Sequence, residues 1–273
     1  MIRFKKFVNT SKPIFSIRPI IRERKGFMCR FRFIIILILM LTCPLMATTY
    51  YVAKSGSDNN PGTQSQPWLT IGKAASTMVA GDKVIVSAGT YAEKVVPANS
   101  GTSSARITYE ADISAGDVII DGTGKDNCFL CQKSYTTIDG FICINAGTNG
   151  IAFTTSSGNY GIIKDCIVYD IGGGSGGCIK VDTADYVNII NCLVFDGSGS
   201  GILVSSNAEP TYITHCTVYN SGKGGIKCSA SDTTIRDSIV VNSGEWGIDI
   251  YGTVAVDIDY SDVWNNASGN YED

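Results

Sequence analysis

Four consecutive stretches decide the fold: GIIKDCIVYDIG (161–172), VNIINCLVFDGSG (187–199), TYITHCTVYNSG (211–222) and TTIRDSIVVNSG (233–244). Aligned, they put Ile163, Ile189, Ile213 and Ile235 in one column, and Val168, Val194, Val218 and Val240 in a second column five residues on. The frame extends upstream to TTIDGFICINAG (136–147), with Ile138 and Cys143, and downstream to VDIDYSDVWNNASG (256–269), with Ile258 and Val263. The isoleucines then recur at intervals of 25, 26, 24, 22 and 23 residues. Between the repeats a third run returns as GIAF (150–153), GCIKV (177–181), GILV (201–204), GIKC (225–228) and GIDI (247–250).

Each repeat thus holds three short β-branched runs with period-two alternation, broken by Gly, Asn, Asp and Ser, and leaves no room for a helix. A fixed period of about 24 residues with three strands per coil is the signature of a parallel β-helix, whose coils stack at about 4.8 Å. Two residues after each column isoleucine stand Gly140, Asp165, Asn191, His215, Asp237 and Tyr260. The first five are residue types that enter the left-handed backbone region readily, and Tyr260 is not. A second column, Asn145, Asp170, Asp196, Asn220, Asn242 and Asn265, suits a repeated bend where side chains satisfy backbone groups.

Outside the repeats, the chain has 273 residues, 44% hydrophobic and 17% charged, which excludes wholesale disorder, and its 30 glycines point to many turns. A single histidine, His215, excludes mechanisms that need a histidine pair and zinc sites built on two histidines. Residues 1–47 carry ten Lys/Arg against one acid, whereas 48–273 carry 12 bases and 24 acids. The basic stretch runs into FIIILILML (33–41) and a small residue at Ala47, as a secretion signal does, with Met28 opening a signal of ordinary proportions over 28–47. The apolar run is shorter than the roughly 20 residues of a membrane span, so a secreted product, extracellular or periplasmic, with no stable span after cleavage is expected. The acidic remainder shows no basic patch and argues against nucleic acid.

VIIDG (118–122) fits the repeat frame, but YYVAKSGSDNNPGTQSQPWLTIGKAASTMVAGDKVIVSAGTYAE (50–93) reads as strand, Pro/Gly turn, short amphipathic helix over 70–79, and strand. The expected organisation is therefore an extension and signal over 1–47, a cap with first coils over 48–110, and coils over 111–273. The cap and repeats resemble secreted right-handed parallel β-helix proteins of the pectate-lyase-like superfamily, notably family-nine pectate lyases and chondroitinase-B-like or alginate lyases, across essentially all of 48–273. The resemblance implies an all-β, right-handed β-helix with a substrate groove along one sheet. It also implies an acidic polysaccharide as partner, a lysine or arginine that abstracts the proton next to a uronate carboxylate, and calcium as candidate cofactor.

Onto this sequence the resemblance maps through the Gly-Ile strand, whose outward column reads Ala152, Lys180, Leu203, Lys227 and Asp249. Lys180 and Lys227, two coils or about 10 Å apart, are the candidate bases, and Asp182, Asp185 and Asp249 a weak candidate calcium set. A second outward column, Ile144, Tyr169, Phe195, Tyr219, Val241 and Trp264, makes Tyr169, Phe195 and Tyr219 a candidate sugar platform. The bland readings are solvated face charges and like side chains stacking to stabilise a solenoid. The eight cysteines after Ala47 fall mostly at inward positions, Cys166, Cys192 and Cys216 in one column, and read as a core ladder rather than a disulfide framework. The stretch SDVWNNASGNYED (261–273) shows no polar cap, as in a truncated solenoid. Three readings therefore stand: a uronate lyase, a non-catalytic glycan-binding module, and an inactive truncated relative.

Overall fold

The computed structural model describes residues 47–154, 159–206 and 208–272, so all but Ala47 of the expected signal lies outside the described residues. From Ile107 onward each coil contributes one strand to each of three wholly parallel sheets, and the coils before it contribute fewer. Sheet I has nine strands, from Thr49–Val52 through Val187–Ile190 to Val256–Asp259. Sheet II has eight, from Gly89–Tyr91 through Leu193–Phe195 to Asp262–Trp264, and sheet III seven, from Asn127–Cys131 through Gly177–Asp182 to Gly269–Glu272. The observed register pairs Ile138, Ile163, Ile189, Ile213, Ile235 and Ile258 in succession, so the sequence columns are the physical stack. Sheet I already includes Thr49–Val52 and Lys83–Ser87, so stacking begins within the expected cap.

The cap helix α1 spans Ile71–Thr77, where Thr70 Oγ1 accepts from the Lys73 amide at 3.1 Å as N-cap, and it buries Ile71, Ala74 and Ala75. The turn chemistry explains why the coils close. All six residues from Gly140 to Tyr260 have φ between 49° and 79°, and all six from Asn145 to Asn265 have φ between 51° and 59°. Tyr260 therefore adopts the left-handed region against its type, with its ring 88% exposed and unopposed by packing. Within these columns amides bridge coils, Asn191 Nδ2 to Asp165 Oδ1 at 2.7 Å and Asn220 Nδ2 to Asp196 Oδ1 at 2.6 Å.

The glycine that opens each Gly-Ile strand has a packing cause. A Cβ on Gly150, Gly201, Gly225 or Gly247 would fall 2.2–2.4 Å from a Cγ1 of Val168, Val218, Val240 or Val263 on sheet II. The interior is filled by these valines, by the column isoleucines and by thiols. All eight described cysteines are free and buried. Cys166, Cys192 and Cys216 each direct Sγ at the carbonyl two residues earlier, at 3.2, 3.4 and 3.4 Å. Ser238 and Ser261 make the same bond with Oγ at 2.8 and 3.0 Å, so the column tidies one carbonyl per coil at the bend from sheet I to sheet II.

Candidate functional site

On sheet III the structure sets Lys180 against Leu203, Leu203 against Lys227, Lys227 against Asp249 and Asp249 against Glu272. The two candidate lysines stand two coils apart, as their spacing predicts, but in different surroundings. Lys180 Nζ pairs at 3.0 Å with Asp182 on its own strand. Lys227 forms a short ion pair with Asp249 Oδ2 and lies 5.5 Å from the centroid of the Tyr251 ring. It also lines a cleft of about 370 Å³ formed with Gly174, Ser175, Gly176, Ser200, Leu203, Lys223 and Glu245.

Asp249 is the unusual member. Alternation makes it an outward residue, yet its side chain is only 3% exposed, shielded by Lys227, by Gly224 and by the neighbouring strand Gly269–Glu272. Its Oδ1 has no hydrogen-bond donor among the described residues. A buried carboxylate in that condition is costly unless a donor or cation is supplied. The Glu272 carboxyl is held above its ordinary range, chiefly because it shares a hydrogen bond with Asp249 and also because the Asp249 charge repels a second one. A proton on Glu272 gives Asp249 a second donor beside Lys227. The cluster thus joins Lys227, the buried Asp249 and the Glu272 carboxyl beside a cleft that Lys227 lines together with a second lysine, Lys223.

The candidate calcium set does not come together. Asp182 and Asp249 lie on strands three steps apart in sheet III, about 14 Å at the strand spacing. Asp185 is occupied in a turn, its Oδ1 accepting from the Glu209 amide at 3.1 Å and its own amide donating to Asn159 Oδ1 at 3.0 Å. Among the described residues no group of three or more His, Cys, Asp or Glu has the geometry to hold a metal ion, so these three aspartates do not fit calcium and no step is routed through it.

Tyr169, Phe195 and Tyr219 are register neighbours on sheet II, as expected. The Tyr169 and Phe195 rings, however, stack at 4.6 Å with planes 8° apart, so they turn faces to each other and edges to solvent. A sugar platform needs an open face, and only Tyr219 of the three is exposed, at 43%. Sequence columns built on strands also missed Lys223, Glu245 and the Gly174–Gly176 wall, because these lie in the turns between sheets II and III. The run GGGSGG (172–177), longer in glycine than its counterparts, was the signal available.

Comparison with known proteins places this geometry. The model of the Pel9A-like right-handed β-helix region matches residues 50–199, more than half of the chain. The chain belongs to the Pel9A-like right-handed β-helix family. Solved structures similar to this Pel9A-like chain include pectate lyase Pel9A, at 17% identity and TM-score 0.63 over 74% of this chain and 56% of that one. A rhamnogalacturonan lyase follows at 18% and 0.62 over 83% and 63%, and an alginate lyase from Paenibacillus sp. str. FPU-7 at 19% and 0.61 over 80% and 75%. At such identities the likeness is one of fold, a right-handed β-helix shared with polysaccharide lyases. Among curated proteins, the uncharacterized protein YwoF of Bacillus subtilis (strain 168) is 35% identical over 77 residues, 28% of this chain and 16% of that protein. The Pel9A-like chain thus spans 56% of the pectate lyase, 63% of the rhamnogalacturonan lyase and 16% of YwoF, less than two thirds of each, and 75% of the alginate lyase. No helix among its described residues is long and apolar enough to cross a membrane.

Proposed function

We propose that this Pel9A-like chain acts, outside the cell, on an acidic polysaccharide bound in the sheet III cleft, cleaving it by β-elimination at a uronate with Lys227 as base. The observation that carries the reading is the placement of Lys227. Of the two candidate lysines it alone lines the cleft, ion-paired with the buried Asp249, and Lys223 belongs to the same lining. The proton α to a uronate carboxylate is weakly acidic, so the reaction needs a positioned base and a cation against the developing enolate. Lys223 serves as the cation on the carboxylate. Neutral Lys227 takes the C5 proton, the freed electron pair forms the C4–C5 double bond, and the C4–O bond breaks. The leaving oxygen takes a proton from solvent.

The test is release of unsaturated product from polygalacturonate, alginate and chondroitin, each with calcium and with chelator. Lys227→Ala should lower turnover by about 10²- to 10⁴-fold, the usual weight of a general base, and Lys180→Ala by less than about threefold. Equal losses for the two lysines, or no product from the folded protein, would sink the assignment. A non-catalytic binding role through Tyr219 then takes its place.

A further inference from the structure

A third left-handed column escaped the strand alignment. At the turn from sheet III to sheet I stand Tyr135, Tyr160 and Tyr186, with φ of 56°, 61° and 58°. Their rings form a ladder with centroids 4.6 and 4.8 Å apart and planes within 6° of parallel. One end is covered by the Arg106 guanidinium, 5.9 Å from the Tyr135 ring centroid. Inner faces are consumed by stacking, so the ladder offers a free face at its other end, where Tyr186 is 45% exposed.

Beyond Tyr186 the same column shrinks to Pro210, Asp232 and Ala255, and the space the next rings would fill is a cleft of about 670 Å³. Its other lining residues include Tyr212, 36% exposed, and Asp257, which Arg236 holds at 3.0 Å. We propose that this cleft is a subsite for an uncharged pyranose unit of a glycan chain. A pyranose chair has about the breadth of the missing ring, and its C–H face stacks on an exposed aromatic. Asp232 and Asp257 accept hydrogen bonds from sugar hydroxyls, and none of the residues lining the cleft is a lysine or arginine that would hold a uronate. The specificity is therefore opposite to that of the lysine-lined cleft on sheet III, and the inference stands whether or not that cleft is a lyase site.

The experiment is a calorimetric titration of the protein with cellohexaose, xylohexaose and galactohexaose, with trigalacturonate and tetramethylammonium as contrasts. At least one neutral hexasaccharide should bind with Kd below about 1 mM, and tighter than either contrast. Tyr186→Ala should weaken it at least tenfold, and Tyr186→Phe by less than threefold. Thr234→Trp, on the sheet I wall of the cleft, should fill it and abolish binding while leaving the β-sheet circular dichroism and any activity of the sheet III cleft intact. Absence of neutral-sugar binding, preference for the organic cation, or full affinity in Thr234→Trp would each overturn the proposal.

Discussion

The first and last coils of this solenoid are packed differently. In the first, Tyr91, Tyr109, Phe129, Phe141 and Phe153 are fully buried, and Phe129 meets both Tyr109 and Phe141 edge-on, at 5.7 and 5.3 Å. From Phe141 onward the same interior position passes to Cys166, Cys192, Cys216, Ser238 and Ser261, and in the last coil Ile258 is only partly buried and Val263 is 9% exposed. Both clefts lie on these later coils. A solenoid's stability is close to a sum over neighbouring coils, so heavy packing at one end lets the other carry shallow side chains, a buried unsatisfied carboxylate and open surface.

The largest expected effect tests the heavy end. Phe141→Ala should cost about 3–5 kcal/mol by denaturant unfolding, as for other buried aromatics, and a loss under about 1 kcal/mol would erase the contrast. Val263→Ala in the last coil should cost only about 1 kcal/mol, since part of its surface already meets water. Asp249→Asn should leave stability unchanged or raise it by up to about 1 kcal/mol, because Lys227, about a third exposed, can return to water while the buried charge disappears. Product formation should fall in the same variant, and a large loss of stability would show that Asp249 is structural. Cys216→Ser should be smaller still, within about 0.5 kcal/mol, because Ser238 and Ser261 make the same carbonyl bond in the next two coils.

A pH scan sharpens the comparison from the other side. Burial pushes the Tyr91 phenol up to about 12, with the Glu93 charge adding to it. In the unfolded chain the same phenol ionises near 10, so its contribution is intact below about pH 10 and is lost progressively toward pH 12. Buried thiols along the whole solenoid, which ionise near 9 when unfolded, begin the alkaline loss at lower pH, and Tyr91 adds the limb between about pH 10 and 12 in the first coils. Tyr91→Phe should flatten that limb of the stability curve, though it also removes the 2.9 Å bond to the Ser87 carbonyl.

Particular residues show how much of this was legible. The register of Lys180, Leu203, Lys227 and Asp249 follows from repeat spacing alone, as does the left-handed geometry at Asp165 or Asn220, because both depend on contacts within one coil or between adjacent ones. Tyr135, Tyr160 and Tyr186 recur at the same intervals as the isoleucines, so the ladder could have been read had the turns been aligned as well as the strands. The distinction between Lys180 and Lys227 could not be read. It depends on which turn residues fold back over sheet III, and those turns vary in length from coil to coil.

By itself, then, the sequence determined the coil: its length, its three strands, its bends and the inward columns, since alternation and left-handed turns are local properties repeated at fixed intervals. Only the tertiary structure decided that Asp249 is buried beneath its neighbours, that Asp185 is taken up in a turn, and that ring faces close within the ladders and open at Tyr186. Each of these depends on what the adjacent coil puts over a side chain, and a single strand's pattern does not specify that cover.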